Sequence, residues 1–152
     1  MSQPNRTPGA DTSGYPCTDC NLGALKRRSQ IDFEIDFYER ILSRDPVYSE
    51  VLFNLGELFS IKGWYRRALQ VDNRLAQLRP QDPLVLYNLA CSHALLQQRE
   101  EALTALRRSI AAGYDDFEHL AQDPDLESLR QSPEFTQFIK ELLTTLTPTR
   151  WI

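Results

Sequence analysis

Apolar residues recur along this chain at intervals of three and four, between short polar breaks. Phe33, Phe37, Tyr38, Ile41 and Leu42 form one such run. Leu52, Leu55, Gly56 and Phe59 form a second, continued by Ala68, Leu75 and Ala76, and Leu86, Leu89, Ala90 and His93 lead into Ala102 and Leu106. Phe135, Phe138, Ile139, Leu142 and Leu143 give a last stripe. Spacing of this kind puts apolar side chains on one helix face and predicts amphipathic helices. The breaks fall at Asp45-Pro46, Lys62-Gly63, Gln97-Gln98 and Gly113. A residue before proline avoids the helical region, and glycine suits the end of a helix. Ser29 with Asp32 approximates a capping box, while Asp82-Pro83 and Ser132-Pro133 each offer a cap followed by a first-turn proline. The predicted helices run over 30–44, 47–61, 64–78, 83–96 and 99–112. Short helical pieces follow at 114–120 and 125–129, and a final helix starts at Ser132-Pro133.

Two of these helix pairs repeat one another. Leu89 follows Leu55 by 34 residues and Ala102 follows Ala68 by 34. A fixed offset of that size marks a stacked helical repeat. Leu52-x-x-Leu55-Gly56-x-x-Phe59, then Ala68, then Pro80, resembles the tetratricopeptide repeat, a helix–turn–helix unit. The second copy departs with Ala90 for Gly56, His93 for Phe59 and Tyr114 for Pro80, and the first departs with Asp72 where the family usually has an aromatic. The resemblance covers roughly residues 47–113. The segment GYDDFEHLAQDPDLESLRQSPEF also resembles the closing segment after the last repeat in some bacterial proteins of this class, which implies that the repeat array ends there.

The resemblance implies an all-α fold, a short right-handed stack of antiparallel helix pairs closed by C-terminal capping helices. Gly56 is expected to face the second helix of its pair, with Ala68 as its complement. Pro46 lies 34 residues before Pro80. Residues 29–46 therefore read as a partial repeat, whose first helix would come from the Cys17–Arg28 region. Complete repeats are expected at 47–80 and 81–114 and a cap at 115–146. Residues 1–28 read as a disordered tail, because they lack the apolar content to offset ordering entropy. A short C-terminal tail, 147–152, completes the division.

Composition bounds the functional classes. With 152 residues, 41% hydrophobic and 25% charged, the chain has the make-up of an ordinary globular domain. A net charge of −4 lacks the basic excess that phosphate neutralisation requires, so neither nucleic-acid nor membrane binding is expected. No apolar run suggests a secretory signal or a membrane span, which leaves a cytoplasmic expectation. No nucleotide or nucleophile motif is present. His93 reads as a hydrogen-bonded interior or boundary histidine and His119 as a structural or exposed one. The acidic residues Asp115, Asp116, Asp123 and Asp125 precede helical pieces and suit their positive ends. No catalytic residues and no cofactor are assigned.

In a repeat stack the binding surface is usually concave and lined by the first helix of each pair. With Leu55, Gly56 and Phe59 in the core, the groove positions are Phe53, Asn54, Glu57 and Ser60, then Tyr87, Asn88, Cys91 and Ala94. Aromatic rings beside amides suit a peptide: rings bury area and amides bond backbone. The alternative is that Phe53 and Tyr87 pack against a neighbouring helix. The carboxylate-clamp subclass, which binds chaperone tails, has Lys and Asn where Phe53 and Glu57 stand here, so only Asn88 fits it. The expected function is a non-catalytic protein-interaction module, its partner a protein or peptide, with self-association through the N-terminal edge as a further contact. The rival is a small metal-binding or redox protein using Cys17-x-x-Cys20. A zinc site wants four ligands. The remaining candidates, Cys91, His93 and His119, form no second CxxC, and a thioredoxin-like role would need a βαβ context.

Overall fold

The computed structural model describes residues 29–146. The expected tails, and with them Cys17 and Cys20, lie outside the described residues. Helices α1 (Gln30–Arg44), α2 (Ser49–Ile61), α3 (Tyr65–Leu78), α4 (Pro83–Leu95) and α5 (Arg99–Ala111) follow one another through short connections. Then come α6 (Phe117–Gln122), a single 3-10 turn (Pro124–Leu126), α7 (Glu127–Arg130) and α8 (Pro133–Leu146). There is no strand among the described residues. Each of α1 to α4 packs on the next, so the fold is an all-α stack of helix pairs.

The helix starts follow from local chemistry. Ser29 and Asp32 form a reciprocal capping box, which satisfies backbone donors that a helix start leaves free. The Asp82 side chain accepts from the amides of Leu84 at 3.0 Å and Val85 at 3.3 Å. Ser132 Oγ accepts from the Phe135 amide at 3.2 Å. The turns within the pairs share a left-handed residue at equivalent positions, Gly63 (φ 74°) and, 34 residues later, Gln97 (φ 62°). Glycine takes that conformation without strain, whereas glutamine has a Cβ to accommodate.

Two apolar clusters hold the stack. Ile35, Leu55, Phe59 and Ala68 join α1, α2 and α3. A larger cluster runs from Leu52 and Leu75 through Val85, Leu86 and Leu106 to Leu126, Leu129, Phe135 and Phe138. The cap thus shares one core with the last helix pair. Ser128 Oγ ties it further, donating to the Ala94 carbonyl at 3.0 Å, and within the cap Arg130 donates to the Asp123 carbonyl at 2.6 Å.

The expected pairing of Gly56 with Ala68 is corrected in detail. Both are buried, but a Cβ placed on Gly56 would meet Asp72 Oδ1 at 2.5 Å and Val71 Cγ1 at 3.8 Å. The small residue on α2 makes room for a buried carboxylate on α3. Ala68 packs instead with Leu55, Phe59 and Ile35.

Candidate functional site

A cleft of about 230 Å³ opens between the two pair-initiating helices and the start of the cap. Helix α2 contributes Gly56, Glu57 and Ser60, and α4 contributes Tyr87, Asn88 and Cys91. Asp72 reaches in from α3, while His119, Asp123 and Asp125 come from the cap. The i, i+1, i+4 spacing of the α2 and α4 residues puts each set on one face.

Five of the eight sequence-predicted groove residues line this cleft: Glu57, Ser60, Tyr87, Asn88 and Cys91. Phe53 and Asn54 do not. Phe53 is half-buried against the main core, and Asn54 is exposed. Ala94, placed on the same groove face by its spacing, is fully buried. Tyr87 offers the cleft only an edge. Its ring is 2% exposed and stacks on Tyr114, with centroids 4.3 Å apart and planes 8° apart. The expected alternative for this residue is packing on a neighbouring helix; the ring's partner is instead Tyr114, in the non-helical segment after α5.

Two buried carboxylates organise the cleft. Asp123 sits at the cap end and gathers donors from three elements. Tyr87 Oη donates to its Oδ2 at 2.7 Å, Cys91 Sγ approaches the same oxygen at 3.7 Å, and the Asp125 amide donates to Oδ1 at 2.9 Å. His119 Nε2 lies 3.2 Å from Oδ2. The Tyr87 hydroxyl is held well above its ordinary pKa, first by burial and then by its bond to Asp123. Burial, reinforced by the charge of Asp123, also pushes the Cys91 thiol well up, which keeps it protonated and a poor nucleophile.

Asp72 sits at the other end. It is 4% exposed and accepts from Ser92 Oγ at 2.5 Å. Burial raises its carboxyl to about 6, the Ser92 bond opposes that rise, and the charge of Glu57 adds to it. Asp125 is raised as well, by burial and then by Asp123. The cleft is therefore lined by four acidic residues, and His119 alone among the described lining residues can carry positive charge.

The sequence pattern does not single out Asp72, Asp123 or His119 for this cleft. Asp72 shows there only as a departure from an aromatic, and Asp123 lies 36 residues from its main donor. Among the described residues no group of three or more His, Cys, Asp or Glu is arranged to hold a metal ion. His93 lies elsewhere, its Nδ1 2.7 Å from Gln98 Oε1. No described helix is long and apolar enough to cross a membrane.

Residues 37–70 match the family model of the tetratricopeptide repeat, a span of one repeat period. The chain resembles the tetratricopeptide repeat over that stretch. It is similar to a chloroplastic protein of Arabidopsis thaliana, with 35% identity over 89 residues, covering 57% of this chain and 27% of that protein. The chain thus spans about a quarter of the length of this relative. A crystal structure of MamA has the same fold, with a TM-score of 0.53 at 20% identity, over 78% of this chain and 87% of that one. Tetratricopeptide repeats are in general protein-interaction scaffolds rather than enzymes.

Proposed function

We propose that the protein is a non-catalytic docking module that receives a segment of a protein partner in the cleft between α2, α4 and the cap. The observation that carries this reading is the convergence of first-helix residues from both complete pairs on one cleft. Recognition belongs to its mouth. Glu57 is exposed, and Ser60 and Asn88 are half-buried, so all three remain within reach of a ligand. The floor, with Asp72, Tyr87 and Asp123, is tied into the structure by its own hydrogen bonds. Such a lining accepts hydrogen bonds and suits a segment that presents a lysine, an arginine or backbone amides. The raised carboxyls of Asp72 and Asp125 favour the same ligand, since a cation would relieve the repulsion and the burial penalty they bear.

Selection of a displayed random-peptide library on the full chain tests this. The expected result is an enriched consensus with a basic residue, whose synthetic peptide binds on the order of tenfold more weakly to Glu57→Arg, since a close charge pair is lost and a like charge gained. Glu57 is exposed, so the variant keeps its fold, as circular dichroism would show. A consensus peptide that binds Glu57→Arg and Asn88→Ala as tightly as wild type would remove the cleft as the docking site.

A further inference from the structure

The N-terminal edge of the stack carries a second surface that the cleft does not use. Helix α1 buries Ile35 against α2 and α3, with Ile31, Tyr38 and Leu42 beside it. Phe33 is 66% exposed and Phe37 52%. At 100° per residue, each lies about 160° around the helix from Ile35, on the opposite face. Arg40 and Arg44 fall on that face too, with Ile41 and Glu34 at its flank.

The repeat shows what this face lacks. Phe37 stands one period before Val71 on α3 (71 − 37 = 34). Val71 is half-buried and turns toward Gly56 on the first helix of its own pair. The equivalent face of α1 has no such helix among the described residues, and it carries two phenylalanines in the open.

The charges on α1 point to one kind of cover. Asp32 and Glu39 lie on the inner side of α1, paired with Lys62 and Arg67 of their own chain, while along the exposed side Glu34 precedes Arg40 and Arg44. A helix with an acidic first part and a basic last part complements itself only when two copies run antiparallel. Parallel pairing would set like charges side by side.

We propose that this face is a homodimer seam, in which α1 of one copy lies antiparallel on α1 of a second about a two-fold axis near Phe37. Phe37 then meets its counterpart, Phe33 meets Ile41, and Glu34 lies toward the basic end of the partner helix. A two-fold contact of this kind uses one patch twice and closes at two copies. Exposed aromatics at its centre supply the apolar anchor and the flanking charges supply register. The seam is independent of the cleft.

Sedimentation of the full chain across a micromolar concentration series tests it, beside Phe33→Glu/Phe37→Glu. The wild type is expected to shift from monomer to dimer mass. The variant is expected to associate on the order of a hundredfold more weakly, as when two aromatic anchors are lost. Both residues are exposed, so helicity is unchanged. A charge swap then tests the direction: Glu34→Arg and Arg40→Glu/Arg44→Glu each weaken association alone and recover it when mixed. A wild type that stays monomeric throughout overturns the seam and leaves that face to another segment of the chain. A dimer indifferent to Phe33 and Phe37 places the contact elsewhere, and a swap that fails to recover overturns the antiparallel register.

Discussion

At the scale of the residue, Asp72 is the most informative position in the chain. A carboxylate this deeply buried is costly to ionise unless it is paired. The Ser92 hydroxyl donates to it, and Glu57 adds repulsion. The folded carboxyl stands at about 6 against the usual 3.8, so the folded state holds the proton more tightly than the unfolded chain. Below both values the group is neutral in both states and costs nothing. As pH rises through that window the folded state binds more protons than the unfolded one, and stability falls. The full penalty, about 3 kcal/mol at 1.36 kcal/mol per pH unit, is reached above the folded value. Asp72→Asn keeps the shape and the acceptor for Ser92 without the charge. It is expected to be more stable than wild type near neutral pH, by about 1–3 kcal/mol. Urea unfolding of both proteins on either side of the window checks this. Equal loss of stability with pH in the two proteins would mean that Asp72 is not the group responsible.

At the scale of the element, the helices are largely legible in the sequence and their mutual contacts only partly so. Periodicity finds α1 to α5 because one apolar stripe per helix is the condition for a stack. The caps at Ser29, Asp82 and Ser132 are legible because their chemistry is local. The partner of Gly56 is not. Period alone marks Gly56 as a place of close approach, but both Ala68 and Asp72 lie on the facing helix, and only packing decides between them. The prediction at this scale follows from that contact. Gly56→Ala gains roughly 0.8–1 kcal/mol of helix propensity. Its new methyl meets a short side chain pinned by Ser92, so overpacking of about 1–3 kcal/mol is expected to outweigh the gain. Asp72→Ala removes the obstacle. In the double variant Gly56→Ala/Asp72→Ala the clash is gone and the propensity gain remains. A double-mutant cycle by chemical denaturation should therefore show a favourable coupling of about 1 kcal/mol or more. Additivity would show that the pair is not in contact.

At the scale of the whole molecule, the cap decides what kind of cleft the stack has. The repeat pattern makes Tyr87 and Cys91 groove positions by their place on α4, with core packing of Tyr87 as the alternative. The structure brings Tyr114 over one face of Tyr87 and Asp123 to its hydroxyl, so that side of α4 becomes a floor instead of an open wall. A contact between residues 36 apart depends on the path of the chain after Gly113, which no local pattern encodes. Because Asp123, Asp125 and His119 line the cleft from the cap, the proposed docking is expected to be coupled to cap attachment. Tyr87→Phe tests the coupling. It keeps the ring and its stacking but takes one donor from a buried carboxylate, a loss of about 1–3 kcal/mol. The apolar contacts of Leu126, Leu129, Phe135 and Phe138 with the stack remain. The expected outcome is a modest fall in the melting temperature, with amides of α6 and α7 exchanging faster while those of α2 and α3 keep their protection. Any peptide held in the cleft should bind more weakly to this variant, although Glu57, Ser60 and Asn88 are untouched. Unchanged exchange in the cap would mean that apolar packing alone seats it, and the Tyr87–Asp123 bond would then shape the cleft without holding it together.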